Sequence, residues 1–419
     1  MPLGDVVSVR WEQATPAQIA SGEVALLDRV SFDGEVFSGS RLETKMAQFV
    51  AYPGDLVVSK IRARQGSIGV VQDSQGKVSV TIHYRALQPD RRRVDVTYAW
   101  LALRSAYCRA QFLTATGGAM KGEISEEALL AIKLPLPPLA EQRAIVERWR
   151  KAQADIAAAN QRVELIQKRI PQLVYDALGT PAPAASAPKQ KLLALRWSEI
   201  NRWSLGYLQQ ARAGLLGFMR SRYPVTPLRE HLVETMNGYC IKPVAGPTPY
   251  RMLKLNALAE SGLDLSATKY VNVPESVALR FSLRKGDLLI CRSVGSFDLV
   301  AKCAVVESDA PGILFPDIII RARLKPSLLT AYVCEVMQTP LGRAHFQSNA
   351  RTAVGMWKIG ADDIANFPIP VPPKDVQRAL VERVAAARAE MARERAAAEK
   401  LHQSIAAEVE ALILGSPRA

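Results

Sequence analysis

Pro135-Leu-Pro-Pro-Leu-Ala-Glu-Gln-Arg-Ala-Ile-Val-Glu-Arg148 recurs 235 residues later, without a gap, as Pro370-Val-Pro-Pro-Lys-Asp-Val-Gln-Arg-Ala-Leu-Val-Glu-Arg383. The pattern changes character at this element in both places. After its first copy Ile145, Trp149, Ala152, Ile156, Ala159, Val163, Ile166, Ile170, Leu173 and Ala177 alternate steps of four and three, the spacing of a coiled-coil seam. The second copy keeps the frame with Leu380, Val384, Ala387, Met391, Ala398, Leu401, Ile405 and Leu412, broken by Glu394 and Glu408. A helix over 139–178 would run ~60 Å at 1.5 Å per residue, too long to hide in one small domain. Pro171 removes a helix hydrogen bond and clashes with the preceding turn, which predicts a kink there or an end near Arg169.

Upstream of each copy lies a second echo. Tyr52-Pro-Gly-Asp-Leu-Val-Val-Ser-Lys60 resembles Arg284-Lys-Gly-Asp-Leu-Leu-Ile-Cys-Arg292 at an offset of 232, and the offset returns to 235 by Val70 and Val305. The second copy therefore carries three extra residues between these landmarks. Gly-Asp turn signals followed by short apolar runs read as strands, so each copy is a mixed globule that leads into a long helix. Residues 179–195 open on Gly-Thr-Pro-Ala-Pro-Ala-Ala-Ser-Ala-Pro, an uncharged linker composition. The fold class that follows is α+β: two α/β-mixed globules with twofold pseudo-symmetry, separated by two long antiparallel helices forming a coiled coil. The expected boundaries are 1–138 for the first globule, 139–178 for the central helix, 196–373 for the second globule and 374–414 for the C-terminal helix.

Composition narrows the function. With 419 residues and 48% hydrophobic content, each globule can bury a core, which excludes a mostly disordered chain. Lys and Arg number 54 against 40 Asp and Glu, and the surplus of +14 favours a polyanionic partner, most often nucleic acid. Residues 181–373 carry 23 of the cations against 14 acids, so the surplus is concentrated in the second globule. No apolar run approaches the ~18 residues of a membrane span, and the N-terminus lacks the plan of a signal peptide, which predicts a cytoplasmic protein without membrane contact. Five widely spaced cysteines with no Cys-x-x-Cys pair are expected as buried thiols, not as a disulfide framework or a zinc site.

No phosphate-binding glycine loop, dinucleotide fingerprint, zinc-protease helix or nucleophile elbow is present, the four histidines stand alone, and Asn-Pro-Pro-Tyr is absent. The expectation is a chain that is not an enzyme, with no catalytic, cofactor or metal residues. Basic loops carry more information. Lys60, Arg62, Arg64 and Gln65 follow a strand and supply the side chains that bond guanine, adenine or phosphate; Arg292 and Ser293, with Lys302 nearby, occupy the equivalent place in the second copy. A second pair of loops, Thr114 to Gly122 and Asn349 to Lys358, combines small residues with Lys121, Arg351 and Lys358, a mixture suited to close approach to phosphate. The ten side chains Lys60, Arg62, Arg64, Gln65, Lys121, Arg292, Ser293, Lys302, Arg351 and Lys358 are the candidate DNA-binding set.

With its duplicated Pro-rich element, preceded by a Gly/Lys loop and Ile124-Ser125, the chain resembles the specificity subunit of type I restriction-modification systems over its whole length. Arg196-Trp-Ser-Glu-Ile-Asn-Arg-Trp-Ser204 is similar to the usual entry into that family's second target recognition domain. The resemblance implies that each globule reads one half of a split, asymmetric sequence in double-stranded DNA while the helices fix the spacing. It also implies two modification (methyltransferase) subunits as partners, possible restriction subunits, and S-adenosylmethionine and ATP bound on those partners and not on this chain. Arg143, Arg148 and Arg162 are candidates for partner contact. A non-catalytic coiled-coil adaptor that binds peptides or RNA is the alternative, and a self-sufficient DNA-processing enzyme is a weaker one.

Overall fold

The structure is a computed structural model that describes residues 1–41, 43–44, 46–116, 122–183, 215–259, 262–353 and 355–415. The chain forms two compact units, Met1–Asn160 with the segment from Arg395 onward, and Gln161–Glu394. Two long helices, Leu139–Leu178 and Lys374–Leu414, each give one portion to each unit. Most of the linker and all of Arg196–Ser204 lie outside the described residues.

Each unit builds the same two sheets. In the first, the strand order is Val7–Val9, Tyr84–Pro89, Leu56–Ser59, Ile68–Val70; in the second it is Leu232–Asn237, Ile319–Leu324, Leu288–Cys291, Cys303–Val305. The other sheet runs Val36–Ser38, Val24–Val30, Lys77–Val80, Phe49–Ala51, and its counterpart runs Thr268–Val271, Tyr250–Leu253, Ala310–Leu314, Ser282–Leu283. Even the one parallel pair recurs, Val24–Val30 beside Lys77–Val80 and Tyr250–Leu253 beside Ala310–Leu314. Two copies of the sequence thus make two copies of a topology, and the mixed α and β architecture on long helices is the one the sequence calls for.

The Gly-Asp echo has a structural cause. Gly54 and Gly286 adopt the left-handed conformation that a tight turn requires (φ +86° and +88°), and each donates its N–H across the sheet, to Val71 and Val306. The next residue locks the turn: Asp55 accepts from the Tyr52 N–H at 2.8 Å and from Arg10 Nε at 2.5 Å, while Asp287 accepts from the Arg284 N–H at 2.9 Å and from Arg323 Nε at 2.6 Å. Both carboxylates are buried and both are paired, as burial of a charge demands.

The Pro-rich element also repeats for a reason. Gln142 sits fully buried in the first turn of the central helix, where its amide donates to the Pro137 and Arg93 carbonyls and accepts from the Asp95 N–H. Gln377 does the same with the Pro372 and Ser327 carbonyls and the Leu329 N–H. Tyr98 donates its hydroxyl to the Pro135 carbonyl and Tyr332 to that of Pro370. The proline run is thereby held against its globule, which fixes the direction in which each helix leaves.

The helices pair antiparallel. Within the first unit Ile405, Val409 and Ile413 join a core with Ile145, Val146 and Ala152, and Arg148 meets Glu408 at 2.9 Å. Within the second, Val163 and Ile166 pack with Ala387 and Met391, flanked by Arg162–Glu394 at 2.9 Å and Arg169–Glu390 at 2.5 Å. Glu394 and Glu408, which read as breaks in the seam, are therefore partners of arginines on the facing helix. Such half-exposed pairs are worth only ~0.2–1 kcal/mol each and serve register more than stability.

The central helix does not end near Arg169. It continues through Pro171 to Leu178 because Val174, Tyr175 and Leu178 are buried in the core of the second unit and the Leu341 N–H donates to the Tyr175 hydroxyl. Gly179, left-handed at φ +63°, then closes it. The cysteine expectation also needs correction, since Cys240 is exposed while the other four are buried. Among the described residues no helix is long and apolar enough to cross a membrane, and no group of metal-ligating side chains forms.

Candidate nucleic-acid interface

In the first unit the strand Leu56–Ser59 delivers Lys60 to the sheet edge, where its backbone is fixed by the His83 carbonyl and the Ile124 N–H. Its ammonium group is not free: it pairs with Glu123 at 2.7 Å and is mostly buried. That bond holds the Glu123 carboxyl below its ordinary range. Arg62 follows, exposed, its N–H on the Ser59 hydroxyl, and opens a single turn of tight helix at Ala63–Gln65 that carries half-buried Arg64 and exposed Gln65. Gly66 ends this turn in the left-handed region, and a Cβ there would collide with the Phe32 carbonyl. Lys121 lies outside the described residues.

Two further cations border this turn and escaped the sequence reading. Arg104 donates to the Phe32 carbonyl at 2.9 Å and lies 4.5 Å over the Trp100 ring; burial pushes its guanidinium down to about 10, so it stays charged at neutral pH. Arg109 approaches Gly66 from the helix Ala106–Ala115. Arg62 itself lies 6.0 Å from the ring of Phe32, a half-exposed aromatic. The result is a group of arginines around one exposed ring, the mixture that binds nucleic-acid backbone and base faces. In the sequence, Arg104 and Arg109 flank a helix start 40 residues downstream and carry no local signal.

In the second unit the stretch that carries three extra residues contains a further strand. Ser293–Val294 becomes a strand of its own, paired with Met356–Lys358, which pairs in turn with Arg351–Ala353. In this register Ser293 faces Lys358 and Lys358 faces Arg351, so residues from both candidate loops share one small sheet. Arg292 enters it with its N–H on the Ile318 carbonyl and its own carbonyl accepting from Ile359. Arg351 and Lys358 are both exposed, stand directly opposite each other, and have no ion pair with a carboxylate among the described residues. On the other face Trp357 packs on the core under Phe297, ring centroids 4.7 Å apart. Lys302 is not part of this group: it lines a cavity against the long helices. Arg148 and Arg162, candidates for partner contact, are engaged by Glu408 and Glu394.

Fold and cations together define a class, a protein that presents two separate basic surfaces on repeated α/β units. Residues 1–168 match the family described as the type I restriction modification DNA specificity domain. The specificity subunit of the type I restriction enzyme EcoKI from Escherichia coli (strain K12) is 26% identical over 282 residues, 67% of this chain and 56% of that protein. The StySPI specificity subunit from Salmonella potsdam is 22% identical over 300 residues, 71% of this chain and 59% of its own length. The match thus spans little more than half of these relatives. A chain from a solved structure described as the basis of complex assembly and conformational transition of the type I R-M system has the same fold, with a TM-score of 0.63 at 13% identity over 100% of this chain and 97% of that one. Over these stretches the chain is similar to specificity subunits of type I restriction-modification systems.

Proposed function

We propose that this chain is the sequence-specific DNA recognition subunit of a type I restriction-modification complex, in which each unit reads one half of a bipartite, asymmetric site. Residues 1–138 and 196–373 serve as target recognition domains. The chain performs no catalysis. It positions two modification subunits, which bring S-adenosylmethionine and methylate adenine, and restriction subunits that use ATP to translocate and cleave; the complex works in the cytoplasm. Lys60, Arg62, Arg64, Gln65, Lys121, Arg292, Ser293, Arg351 and Lys358 make the DNA contacts, with Arg104 and Arg109 added in the first unit, while Lys302 stands apart from them on the cavity against the long helices.

The observation that carries this reading is the pairing of Arg351 with Lys358. Like charges placed directly opposite on a sheet cost stability, and an anionic partner recovers that cost. The test is binding of duplexes to the chain co-purified with its modification subunits, as a function of salt. Arg351→Ala with Lys358→Ala should flatten the slope of log affinity against log salt by about 2, roughly one unit per lost phosphate contact. An unchanged slope and unchanged affinity for cognate and scrambled duplexes would remove this sheet from the interface.

A further inference from the structure

Within the second unit a cavity of about 430 Å³ opens between the long helices and the globule. Lys302, Arg343 and Arg388 line it, against Asp298 and Glu335. One pair is already closed: Arg388 grips both oxygens of Glu335, at 2.5 and 2.8 Å. The remaining cations are under-used. Arg343 is half-buried, which pushes its guanidinium below its ordinary value; among the described residues it donates to the Asp298 carbonyl and has no ion pair with a carboxylate. A guanidinium has five N–H donors, and those that the Asp298 carbonyl does not take are open to a ligand in the cavity. Lys302 has no ion pair among the described residues. Asp298 is the single carboxylate left to balance these two, and it is exposed.

The lining also offers apolar surface. Ile170, Leu299 and Met391 supply it, beside Pro171 and Val174. The volume is too large for a bare inorganic ion and falls in the range of small-ligand sites, roughly 300–1,000 Å³. We infer that this cavity binds a small organic phosphate, with its phosphoryl group on Lys302 and Arg343 and its remainder along Ile170, Leu299 and Met391. A phosphate monoester suits the pair because it carries close to two negative charges and accepts from both an arginine fork and a lysine point charge. The site is independent of the DNA-reading sheet, and its existence does not depend on the proposed DNA function.

The test is calorimetric titration of the full chain with adenosine monophosphate, glucose 6-phosphate, inorganic phosphate and acetate. At least one organic phosphate should bind one-to-one with a Kd of about 1 mM or tighter, and more tightly than phosphate or acetate. Lys302→Met and Arg343→Met should each weaken it about tenfold, the size of one charge-assisted hydrogen bond. Leu299→Trp should block it with every charge in place, which keeps the test decisive if Arg343→Met lowers the melting midpoint. Lys285→Met, an exposed cation outside the cavity, should leave binding unchanged. The inference is overturned if no organic phosphate binds more tightly than acetate, if Lys302→Met and Leu299→Trp bind as the parent does, or if Lys285→Met loses as much as Lys302→Met, since the last result marks diffuse attraction to a basic protein.

Discussion

Gln142→Ala removes one side chain from a fully buried position and strands three backbone groups at once: the Asp95 N–H, which its amide oxygen accepts at 2.9 Å, and the Arg93 and Pro137 carbonyls, to which its nitrogen donates at 3.1 and 2.8 Å. At about 1 kcal/mol for each net hydrogen bond the loss is about 3 kcal/mol, falling to about 1.5 kcal/mol if a water enters and restores some of the partners. Gln142→Glu keeps the acceptor for Asp95 but turns a carboxylate toward two carbonyls in a buried site, so it should cost more than alanine despite its closer shape. Urea unfolding followed by tryptophan fluorescence measures the loss, and hydrogen exchange at the Asp95 amide localises it. Because Gln377 makes the matching set of bonds, Gln377→Ala should reproduce the effect at the Leu329 amide. A loss under about 0.5 kcal/mol with Asp95 protection unchanged would refute the claim that this glutamine holds the helix to its globule.

Tyr98→Phe and Tyr332→Phe each delete one hydroxyl bond to a proline carbonyl and should cost about 1 kcal/mol in the same unfolding assay, additive between the two because they lie in different units. Glu123→Gln releases Lys60 from its ion pair; in the proposed DNA complex, affinity should rise and the salt slope steepen by about 1, whereas a purely structural lysine predicts no change in slope. Glu335 is held above its ordinary carboxylate pKa by burial, against the pull of Arg388. Its ionisation therefore opposes folding, and as pH falls from that raised value toward the ordinary carboxylate range the folded state takes up the proton first and gains stability. Comparing urea midpoints of the parent and Glu335→Gln across this window should show that increment in the parent alone.

The duplicated Pro-rich element and the three–four seam made the repeated units and the long helices legible, because both signals are written in local spacing. What stayed hidden depends on partners distant in sequence. Lys60 reads as a free loop cation, yet Glu123 meets it from 63 positions away. Lys302 sits ten residues from Arg292 but faces the long helices, a matter of which side of a strand a turn delivers it to. Arg104 and Arg109 reach the Gly66 turn only through tertiary packing. Glu394 and Glu408 were within reach: an antiparallel register that matches Arg148 with Glu408 also matches Arg162 with Glu394, fourteen steps along each helix. Arg351 and Lys358 were singled out for charge, but only strand register shows that they oppose each other.

Tyr98, Gln142, Tyr332 and Gln377 grasp nothing but peptide groups. A fastening of this sort is anonymous: any residue other than proline offers it the same main-chain N–H and carbonyl. Substitutions in the reading loops leave such fastenings untouched, so the surface vocabulary can be rewritten while the scaffold keeps its grip. The two-residue strand Ser293–Val294 in one copy, where the other has the turn Ala63–Gln65, is a record of that latitude.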